Sequence, residues 1–166
     1  VIVGLLSDTH GQVAAAAAGV RLLLAHGAEH LVHCGDVGDG ADGRAVLDAM
    51  AGTPAVFVYG NNDFDEDDLA RHADHLGIVC GGHRAELTLA GRRAVVTHGD
   101  DVKVVRKARA DAGVDYVFVG HTHVQVDRRD GRVRTINPGA LYRASVKSVA
   151  VLDTETDELR FLPVSI

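Results

Sequence analysis

Seven polar side chains recur in one setting, each just beyond a short apolar run. Asp8 and His10 follow residues 1–6, Asp36 follows 31–34, Asn61 follows 55–59, His98 follows 93–97, and His121 and His123 follow 117–119. Two imidazoles one residue apart after a glycine, in Gly120-His121-Thr122-His123, suit metal coordination. Taken alone, that stretch equally suits a polar loop whose rings bond to backbone. Any single Asp or Asn after a strand is explained by turn preference. Seven such residues at the ends of successive apolar runs point instead to a shared site. Asp and Asn oxygens mixed with imidazole nitrogens suit manganese, iron, cobalt, nickel or zinc, and the lack of thiolate donors argues against a structural zinc or iron-sulfur centre.

The elements that must position these residues alternate in kind. Residues 1–6 form a continuous apolar run, which predicts a strand buried on both faces. Residues 12–26 place Val13, Ala17, Val20 and Leu24 at helical spacing around a tract of alanines. A second strand at 31–34, a helix at 41–51 and a third strand at 55–59 repeat the unit. Right-handed crossovers between such units gather the polar turns at one edge of a mostly parallel sheet, which is where a site belongs. The acidic run Asp65-Glu66-Asp67-Asp68 suits the N-terminus of a helix through Leu76, with His72 and His75 on its surface. Residues 86–90 and 93–97 read as a hairpin, and Asp101 as the cap of a helix through Ala112, with Val102, Val105 and Ala108 inward. After 117–119, the stretches 124–127, 132–136, 145–153 and 158–162 read as consecutive antiparallel strands, with a turn at Asp130-Gly131.

At 166 residues and 46% hydrophobic content, with no linker-like stretch and no internal repeat, the expectation is one domain over residues 1–166. No apolar run is long enough to span a bilayer, and residues 1–6 are too short for a secretory segment, so the expectation is a cytoplasmic protein with no membrane partner. Cys34 and Cys80 are expected to be free thiols. A formal charge of −6 argues against duplex nucleic acid as a partner but leaves a small phosphoester substrate open if metal supplies positive charge. A homo-oligomer is compatible with the sequence.

The blocks Asp8-Thr9-His10, Gly35-Asp36, Gly60-Asn61-Asn62-Asp63, His98-Gly99 and Gly120-His121-Thr122-His123, in that order, resemble the five motifs of the calcineurin-like metallophosphoesterases. Chain length, and Asn137-Pro138-Gly139 after the last block, resemble the small capless branch that includes YfcE-type phosphodiesterases and the retromer subunit VPS29. The resemblance implies an α/β fold, a four-layer αββα sandwich of two mixed sheets flanked by helices. It also implies two divalent ions, manganese first, with nickel, iron, cobalt, zinc or magnesium compatible. Asp8, His10, Asp36 and His123 would hold one ion, and Asp36, Asn61, His98 and His121 the other, with Asp36 bridging. A hydroxide shared by the ions would attack the phosphoester in line. The implied function is phosphodiester hydrolysis; the alternative is a non-catalytic docking scaffold of the VPS29 type.

Three departures from the family pattern bear on chemistry. Asn62 stands where many relatives have a histidine that stabilises the transition state or protonates the leaving oxygen, so its catalytic and substrate-binding role is limited to hydrogen bonding. Asp100 replaces a second histidine of the fourth block, and either turns away as a helix cap or narrows the substrate range through repulsion. Ala140 replaces a common serine. Arg143 is the candidate for the substrate phosphate, against the alternative of an exposed strand arginine. Asn62→His should raise turnover of esters with poor leaving groups more than that of nitrophenyl esters; equal rates in both proteins would contradict the role given to position 62.

Overall fold

The computed structural model describes residues 1–166. Its first sheet joins β1 (Ile2–Leu6), β2 (His30–His33), β3 (Ala55–Phe57), β4 (Val79–Cys80), β10 (Ser148–Asp153) and β11 (Glu158–Pro163), in the order β11-β10-β1-β2-β3-β4. The second joins β5 (Arg84–Leu89), β6 (Arg92–Thr97), β7 (Tyr116–Phe118), β8 (Val126–Asp130) and β9 (Val133–Asn137), in the order β5-β6-β7-β9-β8. Strands β1 to β4 are parallel, as are β6, β7 and β9. Parallel neighbours require crossovers, supplied in the first sheet by α1 (Val13–Ala25), α2 (Gly40–Met50) and α3 (Glu66–Leu76), and in the second by α4 (Val102–Ala110).

Apolar burial separates the layers. Val3, Leu5, Val32, Val56, Phe118, Ile136 and Leu152 belong to a core between the sheets. Leu6, Leu31, Phe57 and Val149 face the other way, onto Ala16, Leu23, Leu47 and Leu69 of the three helices. Val95, Val117 and Val119 pack with Ala108 under α4. The result is the expected αββα sandwich, and β1 is buried on both faces. Cys34 and Cys80 are free, and no helix is long and apolar enough to cross a membrane.

The helix starts follow local chemistry. Asp65 accepts from Asp68 N at the start of α3, and Asp101 from Lys103 N and Val104 N at the start of α4. Gly77, in the left-handed region at φ 73°, ends α3. Two expectations need correction, and one strand was not anticipated. The C-terminal strands are not a consecutive antiparallel set: β9 runs parallel to β7, and the chain then crosses to the first sheet, where β10 pairs antiparallel with β1. Five of the six β10 residues are buried, so the strand needs cover on both faces, which only a central position supplies. The two-residue β4 is too short to show any periodicity. Val102 is 64% exposed instead of facing inward: it is the first residue of α4, directly after the Asp101 cap, and the helix, which ends at Ala110 and not Ala112, buries chiefly Ala108.

Phe118 is fully buried between the sheets. Phe118→Ala should lower stability by about 3–5 kcal/mol, seen as a lower urea midpoint at unchanged slope.

Candidate metal centre

The carboxyl ends of β1, β2 and β3 meet those of β6 and β7 at one end of the sandwich. Two glycines make the approach possible. A Cβ on Gly120 would collide with Ser7 Oγ and the Asp8 carboxylate, and one on Gly60 with the carboxylate and backbone N of Asp36. Glycine before Asn61 and before His121 is therefore dictated by contact with another loop's acidic residue.

Asp8 is fully buried and Asp36 is 2% exposed. Asp36 Oδ2 lies 3.2 Å from His10 Nε2 and 3.3 Å from His98 Nε2. Asp8 Oδ1 lies 3.2 Å from His123 Nε2 and 3.9 Å from both His10 Nε2 and His98 Nε2. Donor atoms of Asp8, His10 and His123 fall within 4.8 Å of one another, as do those of Asp8, Asp36 and His98. Asn61 and His121 form an adjoining, exposed pair, with 3.1 Å between His121 Nδ1 and Asn61 Oδ1. The His121 ring sits 5.1 Å from that of His98. Asp8 Oδ1, His10 Nε2 and His98 Nε2 are buried with no hydrogen-bond partner in the protein. Polar atoms that converge unpaired in an apolar setting are costly unless a cation takes them, so this donor set fits divalent metal.

Surrounding groups aim these donors. His98 Nδ1 is 2.8 Å from the Cys34 carbonyl, which can only accept, so Nδ1 carries a proton and Nε2 is the ring nitrogen turned inward. Asp8 accepts from Ser7 Oγ at 2.6 Å and from His121 N at 3.1 Å, both on Oδ2, leaving Oδ1 free. Asn62 donates from its backbone N to Asp36 Oδ1 and from Nδ2 to Asp36 Oδ2, each at 2.9 Å. Asp63 accepts from Gly38 N and Gly60 N, joining the loops after β2 and β3. Below the centre, buried His33 accepts from Gly35 N on Nδ1. Its Nε2 therefore carries the proton and donates to Thr9 Oγ1, which donates to the Val37 carbonyl at 2.8 Å. This chain ties the loop bearing Asp8 and His10 to the one bearing Asp36.

Charge is balanced unevenly. Burial raises the Asp8 carboxyl above the usual range, against the pull of the Ser7 hydrogen bond and of His98 and His123. Burial also opposes ionisation of Asp36, but the facing His10 and His98 rings and the hydrogen bonds from Asn62 outweigh it and hold that carboxyl well below the usual range. For His98, burial favours the neutral ring, yet Asp36, the Cys34 carbonyl and Asp8 push it up to about 9. Burial, then the charge of His98, drops His33 to about 3 and keeps it neutral. The fold therefore asks for positive charge at Asp8 and Asp36. The backbone is also strained here: of eight non-glycine residues at positive φ, five are Asp8, His10, Asp36, His121 and His123.

Of the residues singled out from sequence, Asp8, His10, Asp36, His98 and His123 converge, and Asn61 with His121 adjoins them. Asn62 faces Asp36, so its amide is engaged with a carboxylate. Arg143 is not on a strand. It lies exposed in the loop after β9 at φ 47°, with Cζ 5.1 Å from the Tyr142 ring, whose centroid is 4.7 Å from that of His10. It is thus one ring removed from the cluster. Asp100 is exposed and its neighbour Asp101 caps α4. Sequence reasoning missed Ser7, Thr9, His33, Asp63 and Tyr142. The first four lie within or just before the recognised blocks, which is the signal that was there to use; Tyr142 had none.

A family model described as the calcineurin-like phosphoesterase superfamily domain matches residues 1–157. A phosphodiesterase of Methanocaldococcus jannaschii is 27% identical over 165 residues, 95% of this chain and 96% of that protein. Among solved structures, an archaeal phosphodiesterase superposes with TM-score 0.89 at 24% identity, covering 99% of this chain and all of the other. YfcE, a phosphoesterase from E. coli, gives 0.70 at 20% identity over 99% and 100% of the two chains. Zinc-bound VPS29 from Entamoeba histolytica gives 0.64 at 16% identity over 99% and 98%. These structural likenesses establish the fold.

Thr9→Val would leave the His33 Nε2 proton without its partner in a fully buried position. It should cost about 1–3 kcal/mol in denaturant unfolding, whereas Thr9→Ser should restore most of the loss.

Proposed function

The chain belongs to the calcineurin-like phosphoesterase superfamily, and we propose from that premise that it is a metal-dependent hydrolase of phosphoesters, phosphodiesters first. The observation behind the reading is the convergence of unpaired Asp8 Oδ1, His10 Nε2 and His98 Nε2 beside a second buried carboxylate, Asp36. The phosphodiesterase of M. jannaschii, alike over nearly the whole chain, supports the choice of diesters.

Two cations are assigned, one to Asp8, His10, Asp36 and His123, the other to Asp36, Asn61, His98 and His121. Asp36 Oδ2, 3.2 Å from His10 Nε2 and 3.3 Å from His98 Nε2, is within reach of both donor sets, which supports its place in each. The oxygen and nitrogen donors suit manganese, with nickel, iron, cobalt, zinc and magnesium as alternatives. When bound, such ions supply Lewis acidity, acidifying water and neutralising charge on a phosphoryl group. The protein supplies the rest. Two carboxylates among neutral imidazoles offset only part of the ions' charge and leave attraction for one phosphate. Cys34 and Asn62 keep His98 and Asp36 pointed at the centre. With Asn62 unable to give up a proton near neutral pH, the leaving oxygen must depart largely unassisted, which favours esters of acidic alcohols. Use as a docking scaffold, the alternative suggested by the likeness to VPS29, would not require seven filled donor positions.

Purified protein with manganese should hydrolyse bis(p-nitrophenyl) phosphate, and a chelator should abolish the activity. Asp36→Ala should lower kcat/KM at least about a hundredfold; no metal-stimulated rate above that variant would overturn the hydrolase reading. His121→Ala should reduce bound manganese from about two ions per chain to about one by elemental analysis, and equal loss at both positions would contradict the assignment.

A further inference from the structure

Seven large hydrophobic side chains are exposed, and three of them, Phe64, Val124 and Val146, sit on loops, while Val102 opens α4. Val124 and Val146, 62% and 58% exposed, both line a groove of about 450 Å³. One stretch of the lining is His123, Val124 and Gln125; the other is Ala144, Ser145 and Val146, with Ser148 completing it. The groove is continuous with the metal centre because His123 belongs to both, its Nε2 lying 3.2 Å from Asp8 Oδ1. The second stretch continues directly from Tyr142, whose ring packs on His10.

Apart from His123, the lining has no titratable side chain. Arg143 and Lys147 flank the lining in sequence, but neither side chain belongs to it. A phosphate beyond the one at the metals would meet no cationic partner in the groove. An apolar ester group, by contrast, would cover two valines that otherwise face water.

Resting on the reading of the centre as a phosphoesterase site, we infer that this groove receives the second ester group of the substrate, and that the substrate class is a diester with a single phosphate whose groove-side alcohol is uncharged and turns an apolar face to Val124 and Val146. Specificity for diesters then arises from Val124 and Val146 as well as from position 62. Polynucleotides and esters with further phosphates fall outside the class.

The test compares diphenyl phosphate with dimethyl phosphate, two diesters of equal charge that hydrolyse slowly, by calorimetric titration of the manganese-loaded protein. The wild type should bind diphenyl phosphate about tenfold more tightly, and the Val124→Ser/Val146→Ser double variant should bring the two within about twofold. Both substitutions are at exposed positions and leave every metal-ligand candidate in place, so bound manganese should not change. Equal affinities in the wild type, or a preference that survives in the variant, would overturn the groove assignment. Turnover of bis(p-nitrophenyl) phosphate is measured alongside. Hydrolysis without the binding preference removes only the groove, while the binding preference without any hydrolysis removes the phosphoesterase reading.

Discussion

Two carboxylates, Asp8 and Asp36, are buried side by side at the meeting point of the two sheets, and most of what surrounds them answers that constraint. Like charges in a poorly solvated site raise one another's energy unless hydrogen bonds, cations or protons compensate. Asp36 accepts from Asn62 on both oxygens and lies against the rings of His10 and His98, whereas Asp8 has its outer oxygen committed to Ser7 and His121 N and its inner oxygen unpaired. This asymmetry explains why the two carboxyls shift in opposite directions, and why histidines, and no lysine or arginine, face them. An imidazole can surrender its place to a metal's positive charge by losing a proton, while a guanidinium would remain charged and compete with the ion.

Convergence at that point is set by topology. Parallel strands all present their carboxyl ends to one edge, and two such edges meet here, so loops from distant parts of the chain come within hydrogen-bond range. The room for this is narrow. Gly60 and Gly120 remove side chains where two loops touch, and five candidate ligands adopt left-handed backbone that ordinary residues avoid. Strain of this kind persists only when the surrounding structure over-determines it. The Thr9–His33 chain, Asp63 and the Cys34 carbonyl provide that over-determination through hydrogen bonds between loops.

The fold was legible in the sequence wherever an apolar run was long enough to show a period and a polar turn closed it, as at β1, α1, β2 and β3. It was not legible at β4, where two residues hold no pattern, nor in the passage from β9 to β10. There both strands look alike locally, and only the cover required by the buried β10 decides which sheet takes it. The seven donor residues were legible because each breaks an apolar run. The hydrogen bonds that aim them were not, since Thr9, His33 and Asp63 lie near those donors in sequence but act on other loops. Asn62 illustrates the difference: its amide type was readable, yet its attachment to both oxygens of Asp36 depends on a residue 26 positions away.

The bonds that close the centre are among the longest-range in the chain. His98 reaches Cys34 across 64 positions, and His121 reaches Asp8 across 113. Contacts so distant in sequence form only after the intervening loops have been closed, late on the folding path. A cation gripped by all of these residues would thus hold the finished structure without hastening its formation, slowing unfolding more than it accelerates folding. The centre would then act as a lock on completed molecules, and a chain with either sheet unassembled would have nothing with which to close it.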